Sequence, residues 1–475
     1  MVVAKQNTVP KKGETLLNSI ILQKCEEFIT EVLGFFNGGQ VVGLAEMEKG
    51  LQVSSEKFLR ELIKTYLEET DRQIAEDKAG RKQKGYIVER RNQERTVYTK
   101  FGAVTYARSY YFNKRKETYL YPVDLVAGLE AYERVSLTVA ADLVEHAAEA
   151  SYGESSRHIT GGEISRQTVM KKIRKTHKLK VAVPPKKEIK VLHVDADEDH
   201  VALQDGTNTI VPIVTIHEGV KNICKGRRQC INAHHISRYQ KATEDLWLEV
   251  ADWIYEAYDV DKLETIYLHG DGAYWIKKGL EILPKSKPVL DKYHLNKAIM
   301  NGTGAQPNYR GDIRQTLKKA DKEGFKNTSR KMYQEAQSEN EQKRIKEFRQ
   351  YILNNWNGIE IHKTEDCGGS SAEAHVSHVL SARLSSRPMG WSREGLKHMA
   401  ELRAFKANGG VVGVEHIKAK ENINSLIKKA MQRAQKIFKS SNSDALGNLS
   451  VINQGKITPL FKSLRTIQHG GLKTR

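Results

Sequence analysis

Three acidic segments carry the residues of this chain best suited to chemistry. Val191-Leu-His-Val-Asp-Ala-Asp-Glu-Asp-His-Val-Ala-Leu203 alternates as a β-strand does, so Asp195, Asp197 and Asp199 share one face. Such a face repels itself unless it is solvated or holds cations. Thr265-Ile-Tyr-Leu-His-Gly-Asp-Gly-Ala273 places Asp271 just past a strand's C-terminal end, where open α/β sheets bind ligands, between glycines that allow a tight turn. Cys367-Gly-Gly-Ser-Ser-Ala-Glu-Ala-His375 places Glu373 in the first turn of a helix. A strand, a loop and a helix could each bring one carboxylate to a single point. Two Mg²⁺ ions about 3.5–4 Å apart, held by two or three such oxygens, suit in-line displacement at phosphorus.

Other readings stay open for some of these acids. Asp199 and Glu198 also read as ordinary solvated residues, and Glu373 also suits the helix dipole. The Asp195-x-Asp197-x-Asp199 spacing begins like an EF-hand loop, but His200 stands where its glycine belongs and Gly206 where its glutamate belongs, which excludes that reading.

The elements around these residues read as α/β beyond the linker Pro184-Pro185-Lys-Lys187. Strands are expected at 189–203 and 209–217, with a third through 222–236. A helix over Thr243–Tyr258 has Leu246, Val250 and Ile254 on one face. Then come a strand at 263–268, a helix at 273–283, a short strand at 288–290 and a helix from Tyr293 to Met300. Three strands, helix, strand, helix, strand is the RNase H-like order. Residues 305–360 become charged and helical, either an inserted domain or one solvated hairpin, and a helix resumes from Ser371 through Leu384.

Ahead of the linker, residues 14–80 read as helices, with apolar spacing in Leu16-Leu17-Ile20-Ile21 and Phe58-Leu59-Leu62-Ile63-Leu67. The first is either an oligomerisation helix or a packed amphipathic one. Glu94 to Phe112 is rich in β-branched and aromatic residues and is broken by Gly102, as in a hairpin. Its alternating Tyr and Arg suit either a nucleic-acid-binding ribbon or a structural hairpin. Residues 135–176 resemble a helix-turn-helix: Val135–Ala150, a short helix at Glu154–His158, a Thr160-Gly161-Gly162 turn, then a helix capped by Ser165. The last helix is expected to bury Val169, Met170 and Ile173 and to expose Arg166, Gln167, Lys171, Lys172 and Arg174 toward DNA.

Lys and Arg total 77 against 58 Asp and Glu, a net charge of +19, which points to a polyanionic partner, nucleic acid before an acidic membrane surface. No apolar run approaches the ~18 residues of a spanning helix, and the first residues lack the apolar core of a signal peptide. The chain is therefore expected to be soluble and cytoplasmic. Residues 416–475 hold twelve Lys or Arg against Glu421 and Asp444, with a helix expected at Ile423–Phe438. Four cysteines are too few for a disulfide framework. Cys224, Cys230, His234 and His235 could hold zinc, but the spacing fits no common structural site, and reduced thiols beside a strand are the alternative.

Ala196-Asp-Glu-Asp-His-Val-Ala-Leu-Gln204, His269-Gly-Asp-Gly-Ala-Tyr-Trp275, Leu290-Asp-Lys-Tyr-His-Leu-Asn-Lys297 and Cys367-Gly-Gly-Ser-Ser-Ala-Glu-Ala-His-Val-Ser-His378 together resemble the ISLre-type insertion-sequence transposases. The likeness continues through Leu380-Ser-Ala-Arg-Leu-Ser-Ser-Arg-Pro-Met-Gly-Trp-Ser392 and over the hairpin near Phe101-Gly102. That family is similar to the Mutator-type DDE transposases. The resemblance implies an α/β RNase H-like catalytic core with an inserted all-α domain, and Asp197, Asp271 and Glu373 as the catalytic, metal-binding carboxylates. Asp197 matches the first position better than Asp195, because His200-Val201-Ala202-Leu203 continues the strand in the family's register. Asp271 follows Asp197 by 74 positions and Glu373 follows Asp271 by 102, leaving room for the insertion. Asp291-Lys-Tyr-His294 matches a Cys-or-Asp, two residues, His motif, so Asp291 and His294, with Asp195, are candidate accessory residues; a satisfied core pair is the alternative.

The implied activity is Mg²⁺-dependent cleavage and strand transfer, with two ions and Mn²⁺ as an alternative metal. Its partner is double-stranded DNA, both element ends and target, bound by a homo-oligomer at the nucleoid and without a membrane. The implied organisation is an N-terminal helical region (1–84), a β-hairpin region (85–134), a helix-turn-helix-like region (135–183), the core's first part (184–304), the helical insertion (305–366), the core's second part (367–440) and a basic tail (441–475). The competing readings are a DNA-binding relative without catalysis, another RNase H-like nuclease such as a junction resolvase, and a helical scaffold for acidic partners.

Overall fold

The structure, a computed structural model, describes residues 16–37, 43–224 and 227–417. The helix expected at Ile423–Phe438 and the tail at 441–475 lie outside them. Two compact units emerge. One comprises the described residues up to Leu143 together with Ser156–Ser165 and Ile417; the other comprises Val144–Ser155 and Arg166–His416. No helix among the described residues is long and apolar enough to cross a membrane.

In the first unit, α1 (Leu16–Asn37) and α2 (Leu44–Glu76) pack together, with Phe28 stacked on Phe58 at 4.7 Å. The short α3 (Lys78–Gln83) leads into β1 (Tyr86–Thr99) and β2 (Gly102–Asn113), which pair antiparallel around a turn that Gly102 closes at φ +101°. β3 (Thr118–Leu120) adds to β2, and α4 (Pro122–Val126) follows. Val97, Val104 and Tyr106 bury their side chains with Leu67, Val123 and Leu129. Further along the chain come α5 (Leu137–Ala147) and α6 (Tyr152–Thr160), each divided between the two units, and α7 (Arg166–Arg174), which belongs to the second, all close to the bounds expected of them.

The second unit is built on a mixed five-stranded sheet. β4 (Val191–Ala202) is central. β5 (Asn208–His217) pairs antiparallel with β4, and β8 (His234–Ser237) antiparallel with β5. β9 (Thr265–Gly270) runs parallel to β4, and β10 (Ser286–Leu290) parallel to β9. The strand expected through 222–236 is interrupted. Its first half forms a separate ribbon, β6 (Val220–Cys224) with β7 (Arg227–Cys230), and β8 alone joins the sheet. Gly219 at φ +126° and Asn232 at φ +51° bend the chain at the two junctions.

Period two decides the rest. Leu192, Val194 and Ala196 of β4 face an apolar layer with Trp247, Val250 and Ile254 of α8 (Thr243–Ala257) and Ile276 of α9 (Tyr274–Ile282). The alternate residues, His193 to Asp199, face the other side.

After α10 (Lys292–Gly302), the charged stretch folds as α11 (Arg310–Lys318), α12 (Lys322–Glu335), α13 (Glu339–Asn354) and α14 (Trp356–Thr364). Ile313, Phe325, Met332, Ile345, Phe348 and Ile352 give these helices a core of their own, so they are more than one solvated hairpin. Asp321 and Ser338 accept hydrogen bonds from the backbone N–H groups of Gly324 (2.8 Å) and Glu341 (3.3 Å), capping α12 and α13.

The helix expected from Ser371 to Leu384 is divided: α15 (Ala372–His375), a π turn (Val376–Ser381) and α16 (Ala382–Leu384). Single π turns of this kind frequently mark functional sites. α17 (Arg393–Ala407) and α18 (Val414–Ile417) complete the described chain.

Gly279 on α9 offers a test of the apolar layer. A Cβ there would lie 2.7 Å from the fully buried Trp247 ring. Alanine in a helix interior normally stabilises by about 1 kcal/mol over glycine, whereas overpacking costs about 1–3 kcal/mol. Gly279→Ala is therefore expected to lower Tm by several degrees in a thermal melt; a raised Tm would contradict this packing.

Candidate carboxylate site

The polar face of β4 meets α15 and the π turn. Asp195, 2 % exposed, accepts a hydrogen bond at Oδ2 from the Ser371 backbone N–H (2.8 Å), at the entrance to α15. The same oxygen lies 3.4 Å from His217 Nε2 and 3.8 Å from His375 Nε2. Burial alone would raise the Asp195 carboxyl, but its hydrogen bond to His217 and the neighbouring histidines hold it below the usual range.

Asp197, two residues on, is buried and accepts the Glu198 backbone N–H at Oδ1 (2.8 Å). Its carboxyl is pushed up to about 6, first by burial and then by the charges of Asp271 and Glu373, against a lowering influence from His294. Acids 74 and 176 positions further along the chain thus bear on Asp197. Asp199 accepts the Ser385 hydroxyl at both oxygens (2.9 and 3.0 Å) and is buried. The expectation of a solvated Asp199 is corrected, because the segment after the π turn covers this part of the strand. Glu198, on the opposite face, accepts Trp275 Nε1–H at 2.7 Å rather than standing free in solvent.

Asp271 follows β9 and is partly exposed; its Oδ1 accepts the Ala273 N–H (2.8 Å), and its backbone carbonyl accepts the Tyr351 hydroxyl of α13 (2.8 Å). Gly272 adopts φ +84°, and a Cβ there would lie 2.1 Å from Asn355 Oδ1, so both backbone and space demand glycine. Asp291 caps α10, accepting N–H groups from Tyr293 (2.8 Å) and His294 (3.1 Å), while His294 Nδ1 lies 3.3 Å from the same carboxylate. The Asp291 hydrogen bond raises the His294 imidazole, and the charges of Asp197 and Asp271 add to it. The pair is both a helix cap and a neighbour of the carboxylates. Glu373 is exposed at the start of α15.

Among the described residues, no group of three or more His, Cys, Asp or Glu side chains is placed to hold a metal ion. The donor chemistry nevertheless suits a hard cation. Burial, and after it the charges of Asp271 and Glu373, disfavour the Asp197 anion, and a divalent ion bound there would reverse that effect.

The sequence reading missed a buried histidine belt beside these acids. His193, His217 and His269 lie on neighbouring strands of the same sheet, with His193 Nδ1 3.2 Å from His269 Nε2 and the His193 ring stacked over His217 at 5.2 Å. His235 is bound at Nδ1 by the Thr215 hydroxyl (2.8 Å), and its ring lies 5.1 Å from that of His375. Cys230 Sγ is 3.4 Å from His375 Nε2. Burial opposes ionisation of this thiol, but His217 and His375 outweigh it and bring it down to about 6. The readable signal was the repeated histidine at strand positions in register with Asp195. The grouping of Cys224, Cys230, His234 and His235 as one zinc set does not form. Cys224 is exposed on the ribbon, and His234, facing away from His235, stacks on Trp253 at 4.2 Å.

Residues 39–421 match the family model of UPF0236, an uncharacterised protein family. The chain belongs to UPF0236. Three UPF0236 proteins of Caldanaerobacter subterraneus subsp. tengcongensis are 40%, 40% and 39% identical to it over 466, 459 and 477 residues. The matches cover 96%, 95% and 98% of this chain and 98%, 98% and 96% of those relatives.

In this UPF0236 chain, α7 presents Arg166, Gln167 and Lys171 to solvent, as expected. Two neighbours differ. Lys172 is buried, because it stands three residues after Val169 and four before Thr176 on the inward stripe of the helix. Arg174 is partly buried and engaged by the Ser392 hydroxyl (2.8 Å) and Glu394 (3.5 Å) at the start of α17. Met170 is only partly buried.

The belt gives this UPF0236 protein a signed pH dependence. Burial holds His193 and His234 near 4 and His235 near 3. Unfolding frees them to titrate near 6.5, so the unfolded chain binds more protons in that window and stability falls as pH falls. Asp197, raised to about 6, and His217, which burial would lower but Asp195 and Cys230 raise to about 10, oppose this. Tm is expected to drop from about pH 7 to about pH 4.5; a flat profile would contradict neutral burial of His193, His234 and His235.

Proposed function

We propose that this UPF0236 protein is a DNA transposase of a bacterial insertion sequence, with an RNase H-like catalytic core. Its N-terminal region binds element ends, and Asp197, Asp271 and Glu373 hold two Mg²⁺ ions. It hydrolyses a phosphodiester at the element end to free a 3′-OH, which then displaces at a target phosphodiester. The observation that carries this reading is the delivery of three carboxylates by a strand, a strand-end loop and a helix start, with Asp271 and Glu373 both near enough to bear on buried Asp197.

Other observations support it. Three antiparallel strands followed by two parallel ones, with helices between, agree with the RNase H-like order. A four-helix segment separates Asp271 from Glu373. The net charge of +19 suits a polyanionic substrate. The printed names of relatives point the same way: one joins eleven designations from a single organism and another joins four, which we read as near-identical copies repeated in one genome, as mobile elements are.

The residues divide the work. Buried Asp197 is fixed by the strand and by the Glu198 N–H, so its free oxygen has a set direction. Asp271 is oriented by the Ala273 N–H, and exposed Glu373 stands where a duplex can approach. His294, made more basic by Asp291, can offset part of the negative charge and donate to a non-bridging phosphate oxygen. When bound, the Mg²⁺ ions activate the attacking oxygen and stabilise the leaving one.

The test is cleavage and strand transfer on duplexes carrying the element's own ends, with Mg²⁺ or Mn²⁺. Asp271→Asn is expected to lower cleavage by about 100-fold or more while end binding persists. Full cleavage by that variant, or cleavage without strand-transfer products in the parent, would overturn the assignment; the second outcome would favour a nuclease.

A further inference from the structure

The first unit contains a cavity of about 610 Å³, open to solvent and remote in sequence from the three carboxylates. Its wall is an aromatic ladder on β2 and β3. Tyr110 stacks on Tyr119 with ring centroids 5.2 Å apart and planes 12° apart, and Tyr121 lies 4.7 Å from Tyr110 on the other side. Phe112 extends the ladder, 4.8 Å from Tyr119. Stacked rings of this kind normally complete a core, yet Tyr119 is 55 % exposed and Tyr132, also on the cavity lining, 98 % exposed. Tyr132 further adopts φ +60°, a conformation that bulky residues rarely take. The chain holds a strained backbone and presents a large ring to water, a combination that marks binding surfaces.

Charge decides what kind of ligand fits. Arg95 and Arg108 both converge on the single carboxylate of Asp124, which also accepts the Tyr106 hydroxyl at 2.7 Å. Across the lining, Arg95, Arg108 and Arg134 stand against Asp124 and Glu133, which leaves a net positive charge of one. Arg108 lies over the Tyr121 ring at 3.5 Å, and Arg134, exposed, lines the rim. Rings for stacking beside guanidinium groups are how single-stranded nucleic acids are held: bases against the faces, backbone phosphates near the cations. The volume falls within the range of small-ligand pockets and exceeds what one planar base needs.

We propose that this cavity binds unpaired nucleobases of a DNA strand, with Tyr119 and Tyr132 as stacking faces and Arg134 beside the backbone. The inference rests on the reading of the chain as a DNA-handling protein and assigns the N-terminal unit a second mode of contact, to frayed or extruded bases at an end. A duplex alone would not fill such a site.

The full-length protein, Tyr119→Ala, Tyr132→Ala and Tyr132→Phe are compared by fluorescence anisotropy with a labelled single-stranded oligothymidylate and a duplex of equal length. A single strand bearing 2-aminopurine reports stacking directly by quenching. Each alanine is expected to weaken single-strand binding by about 5- to 150-fold and to abolish part of the quenching; Tyr132→Ala leaves Tm unchanged, Tyr119→Ala, which also loses its packing on Tyr110 and Phe112, lowers it modestly with the fold kept, and Tyr132→Phe retains binding. Single-strand affinity unchanged in the alanine variants, or absent in the parent, would overturn the proposal. So would stronger competition by a proline-rich peptide than by unlabelled single strand. Asp271→Asn is expected to bind the oligothymidylate normally, so failure of the cleavage chemistry and failure of this site read out separately.

Discussion

A buried hydrogen bond ties the strand and helix parts of the carboxylate site together. Asp195 on the central strand accepts the N–H of Ser371 where the final catalytic-candidate helix begins. Asp197 lies two residues beyond one partner, and Glu373 two residues beyond the other. Any shift of that helix against the strand would move one acid relative to the other. A carboxylate with so little exposure is costly unless compensated, and here His217, His375 and the backbone N–H compensate it. Removing one partner of a buried charge pair typically costs about 3–5 kcal/mol, so the arrangement is held more firmly than a surface contact would hold it.

The histidine belt follows from the same constraint. An anion at the centre of a sheet face needs neighbours that can donate to it. His217, which burial would lower but Asp195 and Cys230 raise to about 10, does so with charge, while burial holds His193, His235 and His269 below the usual range. Cys230 and His375 extend the network to the back of the Glu373 helix. The helical segment between Asp271 and Glu373 contributes from the other side, where the Tyr351 hydroxyl binds the Asp271 carbonyl and Asn355 crowds Gly272. Under the proposed function, the inserted helices therefore do more than reach outward for a partner; they also fix the loop that carries the second acid.

Much of this was legible in the residues. The alternation from Val191 to Leu203 revealed both faces of β4, because period two leaves no freedom once one face is apolar. Asp271 between glycines was legible because only a tight strand-end turn needs that pattern. Other features were not. The break between β6–β7 and β8 depends on Asn232 in a left-handed conformation, which no local pattern required. Lys172 looked solvent-facing by residue type, yet helical phase placed it inward. The histidines of the belt stood in the sequence at strand positions, but they come from different strands, and only cross-strand register unites them. Asp199 was read as solvated because nothing in the sequence showed that Ser385 returns to cover it.

The central claim is that the oxygens of Asp197, Asp271 and Glu373 share divalent ions. Crystals of the protein bound to its end DNA, soaked in Mn²⁺ and measured at the manganese absorption edge, test it without reliance on activity. Two anomalous peaks among these three carboxylates, separated by about 3.5–4 Å, are expected. Manganese density elsewhere, with none among these residues, would contradict the account.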